Sequence, residues 1–456
     1  MRTSIAILAA GLGTRMKSKI SKVLHRAGGF TLVEHAVRTA RGVAEAADIV
    51  AVVGHQAEAV KAVLAPYGVV TALQSEQRGT GHALNMAASV LSGVPGRLVV
   101  LYGDVPLLSA AAVQRLVREY DASQKAAMVI TCNLDDPAGY GRIVRDRDGN
   151  VAAIVEQKAA SAEQLTIREI NSGIYCFDSA LLWKHISEIG TNNPAGEYYL
   201  TDIVEIFNQR AYGVAPMVIE DISELLGINT RVELAQVDEI FRRRKARGLM
   251  LEGVTIERPD TVTIDLDVKV GRDTIVESGV RLLGNTVVGD DCVIGAGSVL
   301  HNAVLGEKVL VGAYTSIADS HVGSGAHVGP FARLRQHNEV GENVHIGNFV
   351  ELKKTQMGKG AKANHLAYLG DSSIGTKTNI GAGTITCNYD GVSKHKTRIG
   401  EHTFVGSNST LVAPIEIGDR AYIAAGSVIT DAVPKESLAL GRARQTVKPG
   451  WKPKAK

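Results

Sequence analysis

Two patterns of apolar and polar positions divide the chain. In the first half, short runs of β-branched residues alternate with longer stretches of helical period. "SIAILA" (4–9), "IVAVV" (49–53), "RLVVLYG" (97–103) and "AAMVITC" (126–132) predict strands. "TLVEHAVRTARGVAEA" (31–46), "GTGHALNMAASVL" (79–91) and "SAAAVQRLVREY" (109–120) predict helices between them. Strand, helix and strand repeated this way predict a parallel sheet covered on both faces, with ligands beyond the carboxyl ends of the strands. Residues 229–252, which contain "VDEIFRRRKARGLMLE", read as one long charged helix.

After Gly253 an aliphatic residue followed by glycine recurs: Val288-Gly289, Ile294-Gly295, Leu305-Gly306, Val311-Gly312, Val322-Gly323, Val328-Gly329, Val340-Gly341, Ile346-Gly347. The short beat is six residues, and the longer one, 289 to 306 to 323 to 341 to 358 to 375, is 17 or 18. Three hexapeptides per turn predict a parallel β-helix, with one aliphatic residue of each repeat pointing into a narrow prism. Between Gly375 and Gly400 the beat is broken by about seven extra residues, so "CNYDGVSKHK" (387–396) must loop out, and insertions from a solenoid tend to sit at its binding face. The beat fades near Val433-Pro434, and the tail "KPGWKPKAK" reads as disordered.

A length of 456 residues predicts two or three domains, and a net charge of only +3 argues against a dedicated nucleic-acid binder. The basic run Arg242–Arg247 reads either as a nucleic-acid patch or as the solvated face of a connecting helix. Cys132, Cys176, Cys292 and Cys387 form no CxxC pair, which excludes a zinc or disulfide framework and suits a reducing cytoplasm. No apolar run reaches the length of a membrane helix, so no integral membrane contact is expected. Arg2 and "SIAILAA" imitate the start of a signal peptide, but the run stops in Gly-Leu-Gly-Thr-Arg rather than at a small-residue cleavage site.

That stop carries the first candidate chemistry. "GLGTRM" (11–16) has two of the three glycines of a dinucleotide fingerprint, with Met16 where the third should be, and no P-loop pattern is present. What remains is a glycine loop after the first strand with Thr14, Arg15 and, seven residues on, Lys22. Loop N–H groups and two cations suit a nucleotide phosphate; the alternative is a plain strand–turn–helix connection.

"LAAGLGTRM" followed by "SKVLH" (21–25) resembles the signature of sugar nucleotidyltransferases. "LQSEQRGTGHA" (73–83) resembles their base-reading segment, "LYGDVPL" (101–107) their metal-aspartate strand end, and "GYGRIV" (139–144) and "EINSGIY" (169–175) their sugar contacts. With "GPFARLR", "NFVELKK", "NHLAYLGD" and "NIGAGTITCNYDG" in the second half, almost the whole chain resembles one bacterial family. Its members are bifunctional N-acetylglucosamine-1-phosphate uridyltransferases and glucosamine-1-phosphate N-acetyltransferases. The resemblance implies a Rossmann-like α/β nucleotidyltransferase domain (1–228), a helical linker (229–252) and a left-handed β-helix acetyltransferase domain (253–456). The left hand runs against the right-handed crossover rule and rests on the resemblance alone. Two positions depart from the family: Leu12, often lysine, and Ser21, often proline.

For the first half the resemblance implies attack of a sugar 1-phosphate on the α-phosphorus of UTP with release of pyrophosphate. Leu8, Ala9, Ala10 and Gly11 would supply loop backbone, and Arg15 and Lys22 would steady phosphate charge. Gln74, Gly79 and Thr80 would read uracil, with Tyr102 and Gly103 also at the nucleotide. Asp104 and Asn229 would hold Mg²⁺, while Gly141, Glu156 and Asn171 would hold the sugar. Taken singly, Asp104 reads as a turn or cap residue and Asn229 as a helix N-cap.

For the second half it implies direct attack of the glucosamine-1-phosphate amine on acetyl-CoA, with His365 as general base. Arg335, Lys353, Tyr368 and Asn379 would bind the acceptor. Ala382, Asn388, Tyr389, Ser407, Ala425 and Arg442 would bind acetyl-CoA, and Cys387 reads as a bystander thiol. The implied assembly is a cytoplasmic homotrimer joined through the β-helix, making UDP-N-acetylglucosamine for peptidoglycan and lipopolysaccharide. The rival readings are a monofunctional sugar nucleotidyltransferase with a purely structural β-helix, and a non-catalytic nucleotide-sensing scaffold.

Overall fold

The computed structural model describes residues 1–453. The chain divides into two compact units, Met1–Phe241 and a second from Arg242 on, and the division falls inside the helix Arg231–Leu251.

In the first unit the strands form where β-branched runs lie: Thr3–Ala9, Ile49–Val53, Arg97–Tyr102 and Ala127–Asn133. Side chains alternate across the sheet, so Ile5, Ile7 and Ala9 pack on one face and Ala6 and Leu8 on the other. Helices Leu32–Arg41 and Ala110–Ser123 cover the first face; Thr80–Met86 and Asp202–Gln209 cover the second. Helix Leu32–Arg41 starts at a capping box, where Thr31 and Glu34 each satisfy the other's backbone N–H.

The sheet is mixed rather than wholly parallel. Strand Glu169–Asp178 runs antiparallel between Arg97–Tyr102 and Ala127–Asn133, with its register broken between Asn171 and Tyr175. Pairing from Arg97–Tyr102 through Thr3–Ala9 and Ile49–Val53 to Val70–Leu73 is parallel, as expected. The carboxyl ends of these strands therefore open on one side, where the glycine loop and Gln74 lie.

In the second unit, strands of two to four residues pair in parallel with the strand one coil away, building three long sheets. Inward positions are aliphatic along each sheet, for example Val276, Ile294, Val311, Val328 and Ile346 on one and Leu282, Leu300, Ile317, Leu334 and Leu352 on the next. Thr386 takes the inward place after Leu369; it is fully buried and accepts the Gly370 N–H at 2.7 Å. The insertion after Ile385–Cys387 leaves the coil, closed by a bridge between Tyr389 and Lys394, before Thr397–Ile399 resumes it. Coiling runs past the fade at Val433 to a last strand, Leu438–Ala439. Of the tail expected to be unstructured, residues 448–453 are exposed and outside any helix or strand, and 454–456 lie outside the described residues.

Corners repeat as strictly as strands. One corner places a left-handed residue at Tyr314, Phe331, Phe349, Leu366, Gly383, Asn408 and Gly426. The residue just before each forms a column: Ala313, Pro330, Asn348, His365, Ala382, Ser407 and Ala425.

Candidate functional site

In the first unit Leu8, Ala9, Ala10, Gly11, Lys22, Gln74, Gly79, Thr80, Tyr102 and Asp104 line one cavity of about 260 Å³. These ten were expected at the nucleotide; Gln77 and Glu197 also line the cavity and carried no signal in sequence. Gly79 has φ 106°, and a Cβ there would lie 2.5 Å from the carbonyl oxygen of Tyr198, so the backbone can pass only as glycine. Gly103 donates its N–H to Leu8 O at 2.9 Å, which binds the strand ends together. Arg15 is exposed in the single turn Thr14–Met16 and does not line the cavity. Leu12 is exposed, and Ser21 donates its backbone N–H to Gln56 Oε1 at 2.8 Å, a bond the family's proline could not make.

Lys22 does more than face the cavity. Its ammonium forms an ion pair with Asp104 and donates to Asn229 Oδ1 at 3.1 Å. The two expected metal ligands thus converge on one cationic centre. A carboxylate and an amide oxygen suit a hard divalent cation, and the ammonium stands where its charge would be.

The three expected sugar residues gather nearby. Asn171 donates its N–H to Gly141 O at 2.9 Å, and a Cβ on Gly141 would lie 3.6 Å from Glu156 Oε1. Asn171 Oδ1 already accepts from Gly173 N (2.9 Å) and the Tyr175 hydroxyl (3.0 Å), which leaves its amide hydrogens for a ligand. Burial, then the neighbouring Asp202, push the Glu156 carboxyl above its ordinary value.

In the second unit His365 sits exposed in the corner column, and its Nδ1 lies 2.9 Å from Oδ1 of Asn348 one coil away. The amide oxygen can only accept, so Nδ1 carries the proton and Nε2 is the free basic nitrogen. Asn348 was not singled out from sequence; its place 17 residues before His365, in the same column, was the available signal. Ala382, Ser407 and Ala425 continue that column, and their carbonyls accept from Asn408 N (2.7 Å), Gly426 N (2.8 Å) and Arg442 (2.8 Å). Asn379 lies on the adjoining strand, in register with Lys362 of the coil that carries His365.

A second cluster lies at the next corner. Lys353, with only 4% of its side chain exposed, pairs with Asp371 at 2.9 Å, and Asn388 donates to the same carboxylate. Burial, the largest single influence, would lower the Lys353 ammonium, but the bond to Asp371, the Asp371 charge and the other close polar neighbours together raise it. Lys394, from the insertion, stands beside Lys353, and that close neighbour of like charge lowers its own value. This second lysine was missed from sequence. Arg335 Nε pairs with Glu351 at 2.5 Å, and Glu351 is in register with Tyr368. The Tyr368 ring folds over Gly370, where a Cβ would lie 2.7 Å from its Cζ and 2.9 Å from Asn388 Nδ2. Tyr389 is exposed on the insertion and donates its hydroxyl to Gly391 O at 2.6 Å. Cys387 is a free, half-buried thiol.

Both units match known proteins. Residues 5–167 match the MobA-like NTP transferase domain, and residues 267–302 and 396–431 match the bacterial transferase hexapeptide (six repeats). A bifunctional protein GlmU of Solibacter usitatus is 54% identical, with 98% of this chain and 96% of that protein aligned. Its counterparts in Koribacter versatilis and Streptococcus thermophilus are 48% and 45% identical over 98% of this chain and 96% of theirs. The chain belongs to the bifunctional GlmU family. As a GlmU family member it is an enzyme with a nucleotidyltransferase half and a hexapeptide acyltransferase half. The three-sheet coil is the left-handed β-helix of hexapeptide transferases. Among the described residues no helix is long and apolar enough to cross a membrane.

Proposed function

We infer that the chain acetylates glucosamine-1-phosphate with acetyl-CoA and then transfers UMP from UTP to the N-acetylglucosamine-1-phosphate formed, releasing pyrophosphate. The observation that carries this reading is the pairing of a phosphate-type cavity in one unit with an oriented histidine in the other. A β-helix serving only as a rod has no use for His365 tied to Asn348, or for Lys353 and Lys394 held side by side.

In uridylyl transfer, Leu8 to Gly11 line the triphosphate, Gln74 and Gly79 read the base, and Gly141, Glu156 and Asn171 hold the sugar. Asp104 and Asn229 are the protein ligands for Mg²⁺. When bound, the ion would neutralise phosphate charge between those two oxygen donors and the nucleotide. Lys22 adds positive charge where pyrophosphate leaves, and Arg15, on the exposed turn outside the cavity lining, adds charge to the same glycine loop.

In acetyl transfer, Nε2 of His365 takes a proton from the attacking amine. Arg335, Lys353 and Lys394 hold the sugar phosphate, with Tyr368 and Asn379 on the sugar. The amine nitrogen attacks the thioester carbonyl carbon, the new C–N bond forms as the C–S bond breaks, and the proton taken up by His365 passes to the sulfur, so that CoA leaves as the thiol. Acetyl-CoA lies along Ala382, Ser407 and Ala425, between Asn388 and Tyr389 at one end and Arg442 at the other.

Tyr314, Phe331 and Phe349 stack on successive coils at 5.5 and 5.4 Å, all of them, with Leu366, about half exposed or more. An apolar ridge of this kind beside His365 supports a homotrimer joined through the β-helix. Free cysteines support a cytoplasmic location.

The test is a coupled assay with glucosamine-1-phosphate, acetyl-CoA, UTP and Mg²⁺. Wild type is expected to make UDP-N-acetylglucosamine, and His365→Ala to do so only from N-acetylglucosamine-1-phosphate. Uridylyl transfer without any release of CoA thiol by the wild type would leave the second half as a scaffold.

A further inference from the structure

We propose that His82 is a positioning residue for base selection: it locks the Gln74 amide so that its oxygen, and not its NH₂ group, faces the nucleotide. The proposal rests on the reading that Gln74 meets the base.

Gln74 is 3% exposed and follows strand Val70–Leu73, where its backbone N–H donates to Val53 O at 2.8 Å. Its Nε2 donates to Gly79 O at 3.3 Å and lies 3.0 Å from Nδ1 of His82. A carbonyl oxygen only accepts, so the NH₂ end of the amide must be the one at Gly79. The two amide hydrogens then serve Gly79 O and His82 Nδ1, and the neutral His82 ring carries its own proton on Nε2. Oε1 is the only amide atom left for the cavity that Gln74 lines.

Both anchors are themselves held. Gly79 packs closely against the Tyr198 backbone, which donates to Arg78 O at 2.9 Å and accepts from Gly81 N at 2.8 Å. His82 stands in the first turn of helix Thr80–Met86, with its ring 6.2 Å from that of Tyr198. An amide oxygen presented in this way accepts from the N3–H of a uracil. It meets lone pair against lone pair at the unprotonated N3 of a cytosine. Of the two anchors the bond to Gly79 is the longer, so without His82 the amide is held by the weaker one and can turn.

The experiment compares kcat/KM for UTP and CTP with N-acetylglucosamine-1-phosphate, using the full chain. His82→Leu keeps bulk and removes the acceptor, so the UTP/CTP ratio is expected to fall about three- to tenfold, chiefly through KM for UTP, the range one hydrogen bond covers. His82→Asn places Oδ1 where Nδ1 stood on the same Cβ–Cγ frame and is expected to restore the ratio. An unchanged ratio in His82→Leu, with kcat lowered equally for both nucleotides, would overturn the proposal. If the leucine packs badly, His82→Ala reads the same ratio. Gln74→Ala separates the two layers. A ratio untouched there removes the base-reading role itself, whereas a ratio that collapses there and holds in His82→Leu removes only the positioning role.

Discussion

Lys22 donates its ammonium hydrogen to the side-chain oxygen of Asn229, 207 residues further along the chain, and pairs with Asp104 in the same step. One lysine therefore holds both of the oxygens proposed as metal ligands. A triphosphate within reach of the ammonium would compete for it and leave those oxygens to a cation.

Lys22→Ala is accordingly expected to raise the affinity of the nucleotide-free protein for Mn²⁺ about tenfold, the order of a charge-assisted hydrogen bond removed. The same substitution should lower uridylyl transfer by about a hundredfold or more, since a phosphate loses its cation. Electron paramagnetic resonance of free Mn²⁺ reads the first effect. Affinity that stays the same or drops would show that Lys22 does not compete for the site.

Asp104→Ala removes the sole carboxylate of that pair. Mg²⁺-dependent formation of UDP-sugar should vanish while CoA release from acetyl-CoA continues at the wild-type rate. Normal uridylyl transfer by this variant would sink the metal assignment.

Asn348 fixes the tautomer of His365 through the 2.9 Å bond at Nδ1. Asn348→Ala should cut kcat for acetyl transfer by roughly tenfold with KM for both substrates little changed, against about 10²–10⁴ for loss of the base itself in His365→Ala. Steady-state kinetics with thiol detection separates the two parameters. A rise in KM alone would make Asn348 a binding residue.

Asp371 is the counter-charge of a lysine that is almost wholly buried. Asp371→Asn leaves that charge unpaired beside Lys394, so the second unit should lose about 3 kcal/mol of stability. KM for glucosamine-1-phosphate should rise with it. Denaturant unfolding followed by a probe in the β-helix tests the first, and an unchanged midpoint would refute it.

Glu156 holds its proton more tightly in the folded chain than unfolded, first because it is buried and then because Asp202 faces it. The folded state therefore keeps the proton over a pH range in which the unfolded state has lost it. Stability falls as pH rises from the ordinary glutamate value to the raised one. Glu156→Gln removes this slope, so the variant's stability relative to wild type should increase across that interval and level off above it. Thermal unfolding at several pH values provides the check, and a difference that stays constant with pH would contradict it.

The parts of this molecule that repeat were legible in sequence. The short strands at Ile5, Ile49, Val99 and Val129, the long charged helix and the hexapeptide beat each spread one signal over many residues. Strand Glu169–Asp178 was not legible as the antiparallel member of the sheet, because its apolar alternation is broken where the register shifts beyond Asn171. Lys394 and Glu197 were missed for a different reason. A single polar residue on an irregular segment acquires meaning only from what the fold brings beside it, here Lys353 and the nucleotide cavity. Asn348 lies between the two cases, since counting back one coil from His365 would have found it.

The corner column that holds His365 also acts as a ruler. Successive coils are spaced as neighbouring strands are, about 4.8 Å apart. From His365 through Ala382 and Ser407 to Ala425 is three steps, or about 14 Å, and Arg442 caps the last carbonyl. A thin molecule laid along those marks with its reactive end at the histidine has its far end at the arginine. The insertion between Cys387 and Thr397 leaves that measure intact, because its extra residues leave the coil and return without adding a step. If acetyl-CoA lies as proposed, its length is matched by the number of turns rather than by any one side chain.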